Sequence, residues 1–233
     1  RIVHEPLYAA RLAEGCSRLG IIADLPRIWA QVRVAAQRHG EATLRLQVTR
    51  GTAVARGYTP SGTEQARAIL AVFDPPSPAG LPRQPAVVTL DMRLGENPAL
   101  AGLKHGNRLE QVLARLELSR SGGAFEGLLA GSSGMLVSGT MSNVFLELDG
   151  ELVTPSLDRC GVAGVMRAVV LRTAEECGHM VRIAEVPLEA LRRCTALALS
   201  NARMGLLPAY RLDGRELAGN GRLHALAARV NAA

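Results

Sequence analysis

The spacing of hydrophobic positions changes several times along the chain, between the period of helices and the alternation of strands. Two helical stretches come first, and glycines at 20 and 40 end them. Alternating apolar and polar side chains then indicate half-buried strands. The predicted helices are 6–20 and 25–39, and the predicted strands are 42–51 and 66–73.

A proline-rich segment interrupts this pattern and predicts a boundary between two domains. Residues 74–85 contain five prolines, a composition typical of linkers. We therefore predict a small N-terminal domain over 1–78, a linker over 79–85 and a larger C-terminal domain over 86–233.

Strands and helices alternate after the linker. Asp149-Gly150 between two apolar runs predicts a hairpin turn. Strands are predicted at 86–94, in 127–139, in 142–155, at 179–186 and in 195–214, and helices at 165–177, 188–193 and 215–231.

One further helix follows residue 107, which is a plausible N-cap. Glu110 stands three residues later, as in a capping box. The apolar positions of this helix have the spacing of one face, so we expect that face to be buried. Its members are Leu109, Val112, Leu113 and Leu116.

Composition narrows the classes of function. Hydrophobic residues make up 48% and charged residues 21%, as in an ordinary folded protein, and no apolar run has membrane-spanning length. The four cysteines have neither metal-ligand nor disulfide spacing, which favours a reducing compartment such as the cytoplasm and predicts no metal site. The net charge of +6 is compatible with nucleic acid, but the basic residues are dispersed and aromatic residues are only 3%, and a small anionic substrate or a phosphorylated cofactor fits as well.

Lys104 is the one lysine of the chain. Lysine and arginine together number 27, so the other 26 basic residues are arginines. An ammonium differs from a guanidinium because it can lose its proton and become a nucleophile. Lys104 also lies just before a predicted helix N-terminus, whose positive potential favours the neutral amine. These features indicate a Schiff-base lysine or a general base; a coding bias toward arginine is the alternative.

Two segments have features of anion sites. Gly161 and Gly164 precede a predicted helix, so the amides of Val165 and Met166 could face an anion. A strand also ends in residues 200–202, which offer hydroxyl and amide donors. Each pattern alone is weak, and Gly-x-x-Gly before a helix is more often only a turn. Together with Lys104, they fit pyridoxal phosphate, which carries an aldehyde and a phosphate.

Three longer motifs carry a family resemblance: "RLGENPALAGLKHGNRLEQVLARLEL", "SGTMSNVFLELDGELVTPSLDRCGVAGVMR" and "LSNARMGLLP". They resemble the aminodeoxychorismate lyases, a branch of the fold-type IV pyridoxal-phosphate proteins that also include branched-chain and D-amino-acid aminotransferases. The resemblance implies an α+β fold with a small N-terminal α/β domain and a larger, mixed, β-barrel-like C-terminal domain with helices. It further implies a homodimer. The N-terminal strand hairpin of the family is expected to be missing from this chain.

The resemblance also implies roles for individual residues. Lys104 would bind the cofactor covalently and act as general acid and base. Arg11 would hold the cofactor phosphate, although a solvated helix charge is the alternative, and Asn143 would lie beside the cofactor ring unless it only forms a turn. Further phosphate contacts would come from Val165, Met166, Ser200, Asn201 and Ala202. On the substrate side the candidates are Arg56, Tyr58 and Asn107, with a mobile loop without contacts as the alternative for the first two.

Ser138 departs from the family pattern. Most relatives have a glutamate there, which pairs with the protonated pyridine nitrogen. A serine hydroxyl forms only a hydrogen bond, which disfavours full aminotransferase behaviour and modestly favours a lyase.

The function implied by the resemblance is cleavage of 4-amino-4-deoxychorismate to 4-aminobenzoate and pyruvate in folate synthesis. An aminotransferase of the same fold is the first alternative. A non-catalytic binder of small ligands or nucleic acid is the second, and the surroundings of Lys104 disfavour it.

Overall fold

Two helices and a β-hairpin form the first of two units, residues 1–77. The second helix begins after Asp24, whose carboxylate accepts a hydrogen bond from Arg27 N at 3.0 Å. Its buried side chains, Ile28, Trp29 and Val32, form the centre of the unit's hydrophobic cluster. The elements are α1 (Glu5–Arg18), α2 (Leu25–His39), β1 (Thr43–Thr49) and β2 (Arg67–Phe73).

The second unit, residues 78–233, contains the remaining elements. Its helices are α3 (Leu109–Leu118), α4 (Val165–Glu176) and α5 (Gly221–Ala232), with a 3-10 helix over Leu188–Arg193. Its first strands are β3 (Ala86–Leu94), β4 (Glu126–Gly131), β5 (Leu136–Gly139), β6 (Asn143–Leu148) and β7 (Glu151–Pro155). The others are β8 (Val181–Ala184), β9 (Cys194–Asn201), β10 (Gly205–Pro208), β11 (Arg211–Leu212) and β12 (Arg215–Glu216).

The strands of the second unit pair as two five-stranded sheets with both parallel and antiparallel neighbours. Their orders are β12-β11-β3-β4-β5 and β10-β9-β6-β7-β8. Side chains of both sheets, including Leu128 and Leu197, meet in one buried cluster. The predicted α+β class is confirmed, and the described strands of the second unit form two open sheets rather than a closed barrel.

This computed structural model describes residues 1–53, 56–75, 80–219 and 221–232. Part of the proline-rich segment, including residue 79 of the predicted linker, lies outside the described residues, and the linker over 79–85 remains a prediction. In the described ranges, no helix is long and apolar enough to cross a membrane. Within the same ranges, His, Cys, Asp and Glu side chains form no group that could hold a metal ion.

Two predictions about α3 are wrong. Its predicted buried stripe is exposed, and the side chains that pack inward are those of Ala114 and Leu118. The N-cap is Arg108, not Asn107, because the Glu110 carboxylate accepts a hydrogen bond from Gly95 N at 2.7 Å instead of closing a capping box. The exposed members of the stripe are Leu109, Val112, Leu113 and Leu116.

The last predicted helix begins later than expected. Residues 215 and 216 form β12, which pairs with β11, and α5 begins at Gly221. Pairing with a neighbouring strand satisfies the backbone of Arg215 and Glu216, so the apolar spacing of this segment does not form a helix.

Candidate active site

Lys104 lies on a short loop that is attached to the turn before α4. Gly102 N donates to Gly161 O at 3.1 Å, and Ala163 N donates to Gly102 O at 2.9 Å. These bonds form an isolated parallel bridge between Gly102 and Val162. The Lys104 side chain is exposed two residues after the bridge. The structure therefore brings the one lysine next to the first of the two predicted anion-binding segments.

The turn itself depends on Gly161. This residue has a φ of 89°, in the region that favours glycine. A Cβ there would also lie 2.7 Å from a Val137 methyl and 2.8 Å from a Leu157 methyl. Glycine thus lets the turn pack closely against β5, the strand that includes Ser138.

Helix α4 starts from this turn with an uncapped N-terminus. Its N-cap, Gly164, has extended backbone and no side chain to accept the first amides. Val165 and Met166 form the first turn of the helix and are buried. The positive end of the helix dipole therefore lies beside the bridge that holds the lysine loop.

Asn143 and Ser200 lie on neighbouring strands beside the same turn. They face each other in the pairing of β6 with β9. Asn143 Nδ2 donates to Val162 O at 2.9 Å, which connects this pair to the turn. Ser200 is 1% exposed, and its Oγ has no hydrogen-bond partner among the described residues. An unpaired buried hydroxyl is costly, which is consistent with a ligand that would accept its hydrogen bond.

The segment after Ser200 is held by its asparagine. Asn201 Oδ1 accepts from the backbone N of Arg203 at 2.9 Å and of Met204 at 3.0 Å, and Asn201 Nδ2 donates to Met141 O at 3.3 Å. Ala202 is exposed in the turn that these bonds form. The side chain of Asn201 is thus used for the turn, so Asn201 and Ala202 have only backbone groups to offer a ligand.

A methyl group at position 164 would test how tightly Asn143 is held. The Cβ of Gly164→Ala would lie 2.2 Å from Asn143 Oδ1, so the amide would have to move and lose its bond to Val162 O. We expect the variant to be destabilised by about 1–3 kcal/mol in urea unfolding. The control is Gly221→Ala, whose Cβ meets nothing within 4 Å and which should be neutral or slightly stabilising. Equal stability of the two variants would contradict close packing at Gly164.

Ser138 is on β5, just before the turn that leads to Asn143. It is 8% exposed, and its Oγ donates to the carbonyl of Gly139 at 2.9 Å. Its hydroxyl is thus engaged with the backbone in this structure.

Glu126 is a residue that the sequence analysis missed. It is fully buried on β4, and its carboxylate accepts from Thr140 Oγ1 at 2.5 Å, from Ser142 Oγ at 2.9 Å and from Thr140 N at 3.1 Å. Met141 N donates to it at 3.3 Å. The carboxylate therefore holds the whole turn between Ser138 and Asn143. The one signal in the sequence was a charged residue at the start of an apolar run.

A cavity of about 760 Å³ lies beside the lysine loop, between the loop, the first turns of α3 and residues 94–97. Burial raises the pKa of the Cys160 thiol in its wall to about 11, with the charges of Glu96 and Glu110 adding to the effect. Burial and the neighbouring cations lower the pKa of His105, another lining residue. Both side chains are therefore neutral at pH 7, and neither thiolate nor imidazolium chemistry is expected there.

Of the remaining predicted residues, one belongs to the second unit and three to the first. Asn107 is exposed and lines the cavity. Arg11 belongs to the first unit, where its guanidinium lies 5.4 Å from the centre of the Tyr8 ring and burial lowers its pKa. Arg56 and Tyr58 are also in the first unit, and both are exposed.

The site has the donors that a phosphate group needs. A helix N-terminus without a side-chain cap and the unpaired Ser200 hydroxyl lie beside one turn, and the lysine loop is fixed to that turn. Backbone amides and hydroxyls at a helix N-terminus are typical ligands of an anion. The residues present therefore fit a small phosphorylated group, and the backbone of the lysine loop is bonded to the same turn.

A family model described as amino-transferase class IV matches residues 1–212. The aminodeoxychorismate lyase of Vibrio harveyi is 33% identical over 177 residues, which are 75% of this chain and 65% of that protein. The chain thus spans less than two thirds of the length of that relative.

Two solved structures have the same fold. The 4-amino-4-deoxychorismate lyase from Pseudomonas aeruginosa superposes with a TM-score of 0.90 and 37% identity, covering 97% of this chain and 84% of that one. A T.th. branched-chain amino acid aminotransferase, solved with pyridoxamine 5'-phosphate, has a TM-score of 0.82 and 18% identity. The alignment covers 96% of this chain and 76% of that one, and at this identity the likeness concerns the fold alone.

Proposed function

The chain belongs to the class IV aminotransferase family, and we propose that it is a pyridoxal-phosphate-dependent lyase that converts 4-amino-4-deoxychorismate to 4-aminobenzoate and pyruvate. The observation that carries this proposal is the bridge between Gly102 and Val162, which holds the Lys104 loop against the turn before α4. The lyases of Vibrio harveyi and Pseudomonas aeruginosa support the choice of reaction.

In this proposal, some residues would bind the cofactor and Lys104 would transfer the proton. The amides of Val165 and Met166 and the hydroxyl of Ser200 would hold the phosphate, with Arg11 as a further candidate and with Asn201 and Ala202 contributing backbone. Pyridoxal phosphate, when bound, supplies an aldehyde that combines with amines and a ring that withdraws electrons. The Lys104 Nζ would take up the proton that leaves the substrate and return it later.

Further side chains would contact the cofactor ring and the substrate. Ser138 and Asn143 would face the ring, and a serine at 138 would leave it less electron-withdrawing than the carboxylate of other relatives. Arg56, Tyr58 and Asn107 would contact the substrate, whose two carboxylates suit a chain of net charge +6. We assign the protein to the cytoplasm because its four cysteines are free.

The experiment has two steps. The chain is mixed with pyridoxal phosphate and reduced with borohydride, and the cofactor mass should then be found on the peptide that contains Lys104. Purified aminodeoxychorismate should next yield 4-aminobenzoate and pyruvate in equal amounts. Pyruvate formed instead from D-alanine and a keto acid would favour the aminotransferase alternative, which the family itself makes reasonable. Absence of labelling at Lys104 would contradict both.

We further propose that the protein is a homodimer that pairs through α3. Four apolar side chains on this helix are exposed by 52–79% at helical spacing. An antiparallel pair with its two-fold axis between residues 112 and 113 would place Leu109 against Leu116 and Val112 against Leu113.

A charge in this stripe should separate the subunits. Leu113→Glu would place a carboxylate on each side of the axis, and we expect the dimer dissociation constant to rise by at least about a hundredfold, since burying unpaired charges is costly. Light scattering after size exclusion measures the mass. Ile183→Glu is the control, because Ile183 is 54% exposed on β8, an edge strand of one sheet, whereas α3 packs against β3 and β4 of the other sheet. A dimer that persists in Leu113→Glu would exclude α3 as the interface.

A further inference from the structure

The loop around Lys104 is fixed on its downstream side by the side chain of Arg108. Arg108 Nε donates to His105 O at 3.0 Å, and its Nη2 donates to Leu103 O at 3.4 Å. These two carbonyls belong to the residues immediately before and after Lys104. One guanidinium therefore spans the lysine and holds the backbone on both sides of it.

This arrangement is unusual for the N-cap of a helix. Arg108 occupies the N-cap of α3, but its side chain makes no capping bond and turns back to the loop. The guanidinium is partly buried, and this burial lowers its pKa. In the described part of the chain no carboxylate lies within 4.0 Å of it, and Glu110 acts on it only at longer range. The guanidinium of Arg108 therefore loses part of its hydration without gaining an ion pair. Its hydrogen bonds to the two carbonyls compensate for this loss.

We infer that Arg108 is a positioning residue for Lys104: it holds the carbonyls on either side of the lysine and so sets the direction in which the amine leaves the loop. The planar fork of a guanidinium can reach two carbonyls at once. The upstream bridge at Gly102 and the downstream Arg108 then fix the loop at both ends. The inference rests on the proposed function only in that the amine of Lys104 is the reacting group.

The single lysine gives a direct test that needs no cofactor. An endoproteinase specific for lysine has one cleavage site in this chain, after Lys104. In the full chain, Arg108→Met removes all donors and keeps an unbranched side chain, and we expect cleavage to become at least about tenfold faster, because the bonds that hold the loop are gone. Arg108→Gln keeps one amide donor and should fall between wild type and Arg108→Met. Arg115→Met, an exposed change on the same helix, is the control and should leave the cleavage rate unchanged.

Urea unfolding of each variant separates loop release from loss of the fold. If cleavage rises only as far as the unfolded fraction rises, or rises equally in Arg115→Met, Arg108 does not position the loop. If Arg108→Met does not fold, the comparison is made between Arg108→Gln and wild type.

The loaded enzyme provides the second readout. Misplacement of the amine should lower kcat in Arg108→Gln by about tenfold with little change in KM for aminodeoxychorismate, since substrate contacts are untouched. A change confined to KM would overturn the inference. Failure of the proposed function would look different: wild type would then be inactive as well, whereas the difference in proteolysis would remain.

Discussion

Replacement of Lys104 by arginine will abolish turnover and leave the fold intact. Arginine retains charge and length, but its guanidinium stays protonated at neutral pH, so it can neither attack a carbonyl nor accept a proton. We expect kcat for 4-aminobenzoate formation to fall by at least about a thousandfold. The Lys104 side chain is exposed, so the urea midpoint should match that of wild type.

Two control variants test whether the amine is needed at position 104 itself or only somewhere in the chain. Arg115→Lys places an amine on the exposed side of α3 and should leave turnover unchanged. The double variant Lys104→Arg, Arg115→Lys restores the original lysine count but should stay inactive. A rate near wild type in Lys104→Arg would show that the single lysine is a coincidence of composition.

The second large effect is a loss of stability, which we expect when Glu126 is replaced. Its carboxylate is fully buried and accepts hydrogen bonds from the hydroxyls of Thr140 and Ser142 and from the amides of Thr140 and Met141. In Glu126→Ala these donors lose their acceptor in a space that water does not reach. We expect the free energy of unfolding to drop by about 3–5 kcal/mol, the range for breaking a buried polar network.

Glu126→Gln should retain part of this stability, because one amide oxygen still accepts while the NH₂ group faces donors; we expect a loss of about 1–3 kcal/mol. The control is Glu175→Ala, an exposed position on α4, which should change stability by less than about 0.5 kcal/mol. Urea unfolding followed by circular dichroism measures all three. A loss in Glu126→Ala no larger than in Glu175→Ala would mean that the turn after β5 does not depend on the carboxylate.

Several elements were readable from the sequence because their cause is local. The helix predicted over 25–39 and the strand predicted over 86–94 agree with α2 and β3 at both ends. The predicted turn at Asp149-Gly150 joins β6 to β7, and both of its residues have positive φ. Spacing of apolar residues, caps and turn residues act within a few positions, so one sequence contains the information.

The role proposed for Lys104 also comes from the sequence. A single lysine among arginines predicts a position where a primary amine is needed, and the glycines at 161 and 164 predict a turn before a helix. What the sequence did not contain was the contact between them. The bridge from Gly102 to Val162 joins segments 60 residues apart, and only the folded chain forms it.

The wrong prediction about α3 and the overlooked Glu126 also result from contacts between segments that are distant in the sequence. The apolar spacing correctly predicted that four side chains share one face of α3, but not that this face is exposed. Whether Leu109 and Leu113 are buried depends on which other elements pack against them. In this chain the buried side of the helix is the one with Ala114. Glu126 was overlooked because its partners are 14–16 residues away, at positions 140–142. The sequence by itself determined the type of most elements and singled out the lysine that we propose as the reactive amine. Tertiary structure alone decided which faces are buried and which polar groups meet, because burial and hydrogen bonding of these side chains depend on neighbours that are distant in the chain.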